Sequence, residues 1–287
     1  MRTGGKGLAL SVGLGLAVAI LITWTRVGGS PVDAWCYYGM DPAAPYRADH
    51  CFLYSPPLAQ AMSVIQSVMP FEAFTTTLRT LEMIALALIT GPAIGGVLMI
   101  PATEIELNAA NINIILIGAV LLGFRYPWTW SFVVLTKVTP GIGLLWFAVR
   151  REWRDLAIAL GVTTAIAFGS FIVAPWMWSA YLSALVAAPD ESAFPIWMRL
   201  PLAAAIVIWG ARTDHRWAVV VAVFLALPRW YFLSPVVLVG LFKVVTFPRP
   251  LPLPSIRWRP FRIERRQPAA ATTSGSSVGR TVRAPFS

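Results

Sequence analysis

The chain has 287 residues, of which 57% are hydrophobic and 13% are charged, and its formal net charge is +10. Soluble domains contain about one quarter charged residues, so this composition excludes an ordinary soluble domain and indicates a polytopic membrane protein. The basic residues cluster at the ends of apolar runs, which is typical of cytoplasmic loops and argues against nucleic acid as a partner. These clusters are Arg150, Arg151 and Arg154; Arg212 and Arg216; and Arg257, Arg259, Arg262, Arg265 and Arg266.

The first apolar run covers residues 7–25 and follows Arg2 and Lys6. No small-x-small cleavage site follows it, so we expect a retained span with its N-terminus in the cytoplasm. Residues 27–72 then form a long external loop. The only two cysteines, Cys36 and Cys51, lie in this loop, and an external location predicts a disulfide between them. Closing so short a loop stabilises a fold by about 3 kcal/mol in the chain-entropy model.

The second part of this external loop carries apolar residues at helical spacing. Leu58, Met62, Ile65 and Met69 fall on one face of a helix over 58–69. Such a segment, too short and too polar to span a bilayer, predicts an amphipathic helix that lies on the membrane surface.

The remaining apolar runs are short and interrupted by Pro, Gly and charged residues. Two abbreviated helices are expected to meet near Lys137 and Pro140, with a single continuous span over 128–149 as the alternative. Residues 176–198 are predicted to be an external loop. With the span over 7–25 the total is about ten spans, or eight in the alternative count, and both termini are cytoplasmic. The other predicted spans cover residues 73–91, 92–104, 111–124, 128–137, 139–149, 155–175, 199–211, 217–228 and 232–246.

The sequence therefore predicts an all-α, polytopic transmembrane helix bundle over 1–246. Residues 247–287 are rich in Pro, Arg and Ser, which predicts a disordered, basic, cytoplasmic tail.

Polar residues are concentrated between residues 101 and 154, although the surrounding sequence is apolar. Glu104 and Glu106 precede Asn108, Asn111 and Asn113, and Lys137 lies between two apolar runs. A charge at the bilayer centre costs roughly 3 kcal/mol on insertion scales, so such residues usually face a polar cavity or a partner. On the predicted topology these residues lie on the external side with Asp33, Asp41, Asp49, Tyr54 and Arg199.

This convergence predicts a functional site, and each residue also has a purely structural interpretation. Asp33 and the glutamates can be solvated loop charges, the asparagines can bond across helices, and Lys137 and Arg199 can extend to the interface. His50 and His215 have no metal-ligand spacing, and no nucleotide-binding or hydrolase motif occurs. We therefore expect neither a metal nor another cofactor.

Several segments carry a resemblance to a known family over roughly residues 10–245. In chain order they are Asp33-Ala-Trp-Cys-Tyr-Tyr, Tyr54-Ser-Pro-Pro-Leu-Ala-Gln, Glu106-Leu-Asn-Ala-Ala-Asn111-Ile-Asn113, Leu135-Thr-Lys137-Val-Thr-Pro140, Arg150-Arg-Glu-Trp-Arg154, Trp197-Met-Arg199-Leu-Pro-Leu-Ala and Trp209-Gly-Ala-Arg-Thr-Asp. Together they resemble the GT-C-type membrane glycosyltransferases, and most closely family 87. These enzymes use polyprenyl-phosphate sugars and transfer mannose or arabinofuranose. Ala110 stands where the family usually has Gly.

The resemblance implies a GT-C fold, a lipid-phosphate sugar donor and an extracytoplasmic glycan or glycolipid acceptor at the plasma membrane. Asp33 matches the family's general base. Lys137 and Arg199 are candidates for the donor phosphate, and Tyr54, Glu106 and Asn111 are candidates for sugar or acceptor hydroxyls. One base and a single displacement imply inversion at the anomeric carbon. The alternatives are a lipid or solute carrier with a midplane site and a non-catalytic scaffold of cell-envelope assembly.

Overall fold

The computed structural model of the chain describes residues 31–47, 51–188, 194–231 and 234–246, together with Gly13. Within these ranges every regular element is helical and no strand occurs, so the predicted all-α class is confirmed. The predicted first span, the predicted tail over 247–287 and the residues Asp49 and His50 lie outside the described residues.

The helices are mostly short, and several are joined by 3-10 turns. The 3-10 segments are Gly91–Ala93, Pro127–Thr129, Thr139–Leu144 and Ser234–Val239, and a π-helical turn covers Phe242–Thr246. In chain order the α-helices are α1 (Val32–Tyr38), α2 (Pro56–Val68), α3 (Phe71–Thr90), α4 (Ile94–Leu98), α5 (Pro101–Ala109), α6 (Asn113–Gly123), α7 (Trp130–Thr136), α8 (Leu145–Val149), α9 (Trp153–Val173), α10 (Pro175–Ala187), α11 (Ile196–Thr213) and α12 (Trp217–Leu225).

Among the described residues, two helical segments are long and apolar enough to cross a membrane. They are Phe71–Leu98 and Trp153–Val173, and α5 with α6 is a third if this pair, bent by 104°, counts as one broken span. The prediction of about ten spans, or eight, is not supported. Much of the apolar sequence is buried in protein instead: α12 has only 9 residues, and Val219, Val220 and Val223 in it are completely buried. An apolar run alone does not distinguish a buried core helix from a span.

Two local predictions also need correction. The break expected at Gly91-Pro92 is only a 3-10 turn, and the long segment continues to Leu98 before Pro101 opens α5. The region 176–198, predicted to be a loop, contains the 13-residue helix α10, which Pro175 opens at a position where proline is favourable. By contrast, the region 128–149 is split into short helices as predicted, because α7 ends at Thr136 and the next helical turn begins at Thr139.

The helix expected over 58–69 is present as α2, but its apolar face contacts protein. Met62 is buried, and Leu58, Ile65 and Met69 pack against a small hydrophobic cluster that includes Tyr37. The face expected to lie on the membrane surface therefore helps to hold the loop segment 31–69 against the bundle.

Two of the basic clusters that the sequence assigns to the cytoplasm lie at one end of the bundle, together with the end of α6. Arg150 Nη1 is 2.8 Å from Asp214 Oδ1, and the guanidinium of Arg216 lies 5.3 Å from the centre of the Phe124 ring. At the other end of α9, the Ser170 carbonyl accepts a hydrogen bond of 3.0 Å from Gln60 Nε2 in α2. Helix α9 thus connects the basic end with the end that carries α1 and α2.

Trp130 is completely buried in the larger hydrophobic core and limits the size of the residues beside it. A Cβ atom added at Gly143 would lie 2.3 Å from Trp130 Cη2, whereas one added at Gly161 on α9 would meet nothing within 4 Å. We expect Gly143→Ala to lower the free energy of unfolding by about 1–3 kcal/mol, because the indole is completely buried and has no space to move. The matched control Gly161→Ala should be neutral or stabilising by roughly 0.5–1 kcal/mol. Thermal melting in detergent micelles measures both, and equal melting temperatures would contradict this packing.

Candidate functional site

A sharp bend between α5 and α6 brings the predicted polar residues together. Helix α5 ends at Ala109, and Ala110 takes the left-handed conformation with φ 51°, which costs a non-glycine residue roughly 1 kcal/mol. The Asn111 N–H then bonds to the Glu106 carbonyl at 3.2 Å, which reverses the chain against the end of α5. The bend therefore places Glu106, Asn111 and Asn113 at one point of the fold.

Glu106 is the buried anchor of this bend. Its side chain is completely buried, Oε1 accepts the Asn113 N–H at 2.8 Å, and Oε2 accepts Asn113 Nδ2 at 3.2 Å. Asn113 Oδ1 in turn accepts Lys137 Nζ at 2.6 Å. A carboxylate and an ammonium are thus linked through one asparagine, which compensates two charges that would be costly to bury separately.

The break after α7 is what presents Lys137 to the bend. Its N–H makes the last helical bond, to the Val133 carbonyl at 2.9 Å, and its backbone is extended with φ −139° and ψ 106°. Pro140 lacks the N–H that a continuing helix needs for the Thr136 carbonyl, so α7 cannot run on. The side chain consequently leaves the helix and reaches Asn113.

Asp33 joins the same cluster from α1. It is half-buried, and the Asn111 side chain and the charge of Lys137 both act on its carboxylate. Burial raises the pKa of the Asp33 carboxyl above its usual value, and Lys137 and the Asn111 hydrogen bond oppose part of that rise. A carboxylate with a raised pKa is a better proton acceptor than an exposed one, as a general base requires.

Two tyrosines complete the cluster. Tyr54 OH donates to Tyr37 OH at 3.1 Å, and Tyr37 OH donates to Asn111 Oδ1 at 2.9 Å. The two rings meet edge to face with their centres 5.2 Å apart. Burial raises the pKa of both phenols, so both hydroxyls keep their protons near neutral pH.

Covalent and polar bonds fix the loop segment that supplies Asp33 and Tyr54. The structure contains the predicted disulfide: Cys36 in α1 is bonded to Cys51, with their Cα atoms 5.3 Å apart. Ser55 Oγ donates a hydrogen bond to the Leu135 carbonyl in α7. The loop segment is therefore attached to α7 close to Lys137.

Arg199 is held in other contacts. Its guanidinium donates to the carbonyls of Phe194 at 2.6 Å, Leu225 at 2.9 Å and Leu227 at 2.7 Å, and it lies 4.7 Å from the centre of the Trp230 ring. The residue is almost completely buried. These contacts satisfy carbonyls at the C-terminal end of α12, where helices leave such groups unpaired, so the geometry favours a structural role over the predicted phosphate contact.

Two apolar cavities are lined by residues that precede or follow Lys137 in the chain. The larger one, of about 440 Å³, is lined in part by Val138, and the smaller one, of about 200 Å³, is lined in part by Thr136. Residues lining the larger cavity include Val138, Thr139, Ile142, Leu145, Leu156 and Leu200, and those lining the smaller one include Pro57, Leu58, Phe132, Leu135, Thr136 and Ile166.

Sequence reasoning missed one buried acid, Glu82 in α3. Its side chain is completely buried, and within the described residues neither carboxyl oxygen has a hydrogen-bond partner. It interacts electrostatically with Glu106 and with Arg79, whose guanidinium donates to the Leu107 and Asn108 carbonyls at 3.0 and 2.6 Å. The signal was a charged residue inside an apolar run, and the same reasoning applied to Lys137 would have found it. Tyr37 was also missed, because a tyrosine in a loop carries no comparable signal.

Comparison with known protein families, with curated proteins and with solved structures finds no match to this chain. Within the described residues no group of three or more His, Cys, Asp or Glu side chains is arranged to hold a metal ion. The functional interpretation therefore depends on the geometry of this cluster, and the family resemblance stays a prediction.

The two buried glutamates should respond in opposite ways to removal of the carboxyl group. Glu82→Met removes a buried carboxyl group whose oxygens have no hydrogen-bond partner among the described residues, at similar volume, so we expect it to stabilise the fold by about 1–3 kcal/mol. Glu106→Met instead leaves the Asn113 donors unpaired and should destabilise the fold by a similar amount. Thermal melting of the two variants in the same micelles makes the comparison, and a lower melting temperature for Glu82→Met would show that its carboxyl group has a partner in the protein.

Proposed function

We propose that this chain is a membrane glycosyltransferase that moves a sugar from a polyprenyl-phosphate donor to a hydroxyl of an extracytoplasmic glycan or glycolipid. The observation that carries the proposal is that one bend brings together two half-buried charged groups: the carboxylate of Asp33, on which the Asn111 side chain acts, and the ammonium of Lys137, which donates to Asn113. Transfer from a lipid-phosphate sugar needs a proton acceptor beside the attacking hydroxyl and a cation beside the leaving phosphate, and the cluster contains both.

In the proposed reaction Asp33 acts on the acceptor. Its carboxylate takes the proton of the acceptor hydroxyl while that oxygen forms a bond to the anomeric carbon of the donor sugar. The bond between the anomeric carbon and the phosphate oxygen breaks at the same centre, and its electron pair leaves with the polyprenyl phosphate. A single displacement of this kind inverts the anomeric configuration.

Lys137 is suited to stabilise the leaving phosphate. An ammonium has three N–H donors, and in the described part of the chain Asn113 accepts one of them. The others are available for phosphate oxygens, in a site of low dielectric where such contacts are strong. Arg199, the second candidate in the sequence, is engaged by carbonyls and so supports the proposal less.

The remaining predicted residues divide into two groups. Tyr54 and Asn111 have polar groups beside Asp33 and are candidates for hydrogen bonds to the sugar or the acceptor. Both oxygens of Glu106 already accept from Asn113, and its side chain is completely buried. Its role in the proposal is therefore to position Asn113 and Lys137 rather than to contact a sugar.

Location and donor class have separate support. The apolar cavities next to Lys137 suit the isoprenoid chain of a lipid donor. The basic turns that meet at one end of the bundle are typical of the cytoplasmic side, and a disulfide is typical of an oxidising compartment. Both features favour the plasma membrane with the cluster facing outwards.

A lipid or solute carrier is the second candidate. The bent pair α5 and α6 and the buried Glu82 favour it, because carriers place ionisable residues beside broken helices within the membrane.

The test is turnover in membranes that contain the chain, with a panel of radiolabelled polyprenyl-phosphate sugars. We expect Asp33→Asn to lower turnover by about 100-fold or more while donor binding is retained, because the variant loses only the proton acceptor. Asp41→Asn is the matched control: Asp41 is in the same loop, and its carboxylate accepts a local hydrogen bond from the Ala43 N–H at 2.9 Å. Lys137→Met should weaken both donor binding and turnover.

Each other outcome rejects a specific part of the proposal. Product that survives Asp33→Asn would rule out this residue as the base. Movement of labelled lipid between the leaflets of vesicles, without any glycosidic product, would favour the carrier.

A further inference from the structure

We propose that Tyr37 is a positioning residue that fixes the amide of Asn111 so that its NH2 group faces the carboxylate of Asp33. The inference rests on the proposed function, in which Asp33 is the base, and it adds a residue that the sequence did not indicate.

The amide oxygen of Asn111 uses its full acceptor capacity. This oxygen, Oδ1, accepts two hydrogen bonds, from Tyr37 OH at 2.9 Å and from the Ile112 N–H at 2.7 Å. A carbonyl oxygen has two lone pairs, so both are used. The contact between the Asn111 side chain and Asp33 is then made by the amide NH2, which is a donor and suits an ionised carboxylate.

The Ile112 N–H and the Asp33 carboxylate exclude the opposite orientation of the amide. A rotated amide would point its NH2 group at the Ile112 N–H, which can only donate, and its oxygen at the Asp33 carboxylate, which can only accept when ionised. Tyr37 and Asn111 are both buried, so bulk water is not present to repair such mismatches. The hydroxyl of Tyr37 is a second donor to the same amide oxygen and so favours the same orientation.

Tyr54 orients the proton of Tyr37. Because Tyr54 OH donates to the Tyr37 oxygen, the Tyr37 proton is directed towards Asn111. The order of donation is thus Tyr54, Tyr37, Asn111 and finally Asp33. The disulfide at Cys36 holds α1, the helix that carries both Tyr37 and Asp33, in place.

The chain of donors has a defined effect on the titration of Asp33. A hydrogen bond to the charged form of an acid lowers its pKa, and the Asn111 bond does so here against the effect of burial. Losing Tyr37 OH weakens that bond and raises the pKa of Asp33 further. The base exists only above this pKa, so the acid limb of the pH profile moves to higher pH. The other titratable groups that act on Asp33 are Tyr37 itself, Tyr54, Glu82, Glu106 and Lys137.

The experiment follows the carboxyl carbon signal of Asp33 by NMR during a pH titration. The full chain carries 13C-labelled aspartate and is reconstituted in lipid nanodiscs, and Asp33→Asn identifies the signal. We expect Tyr37→Phe to move the midpoint upwards and Tyr54→Phe to move it less, because the latter keeps the bond between Tyr37 and Asn111. Tyr38→Phe is the matched control and should move nothing, since Tyr38 OH donates to the Met69 carbonyl at 2.7 Å.

Turnover supplies the second measurement. Tyr37→Phe should lose roughly tenfold on the acidic side of the profile, the effect of weakening a hydrogen bond to a charged group, and recover at higher pH. A tyrosine that only supports the fold would reduce turnover equally at every pH.

The NMR titration and the turnover measurement test different claims. An unchanged Asp33 midpoint in folded Tyr37→Phe overturns the positioning role, whatever the turnover shows. A shifted midpoint in a chain that transfers no sugar leaves the positioning role intact and overturns the proposed function. If Tyr37→Phe does not fold, Asn111→Ala removes the donor directly, and a midpoint that does not rise in this variant overturns the inference.

Discussion

The hydrogen-bonded pairing of Lys137 with Glu106 through Asn113 is the interaction on which the rest of the structure depends. It joins two places where the helical backbone is interrupted, the end of α7 and the bend between α5 and α6. Removing any one of the three partners leaves a buried charge or donor uncompensated, which costs far more than the pairing itself contributes. The bend also determines where Asn111 lies, and therefore how its side chain is placed relative to Asp33.

Irregular backbone and polar side chains occur at the same points, and the two features need each other. Non-helical backbone at membrane depth is tolerated only where protein or a wet cavity covers it. Here the left-handed Ala110 is completely buried, and the extended Lys137 is half-buried, with its chain neighbours lining two cavities. The side chains of Glu106 and Asn111 accept backbone N–H groups at the bend, from Asn113 and Ile112, so the polar residues stabilise the interruption that brings them together.

How much was visible in the sequence depended on the kind of signal. Polar residues in apolar surroundings predicted both the break at Lys137 and the grouping of the asparagines with Glu106. These two predictions were reliable because the residues involved in each are close together in the chain. The number of spans did not follow, because α12 is apolar for burial in protein and not for contact with lipid. Arg199 was placed with the external residues, yet its hydrogen bonds are to carbonyls whose positions depend on tertiary structure. Nothing in a sequence indicates such a partner.

Lys137 and Arg199 show why burial of a cation does not by itself indicate a functional site. The guanidinium of Arg199 is surrounded by neutral carbonyls and an aromatic ring, an arrangement that is complete without a ligand and connects the start of α11 to the end of α12. The ammonium of Lys137 is instead placed between two carboxylates, Glu106 and Asp33, of which only Glu106 is completely buried. Asp33 and Lys137 are only half-buried, so the protein does not completely enclose this charge group. That partial exposure, more than the presence of charge, distinguishes the candidate site from Arg199.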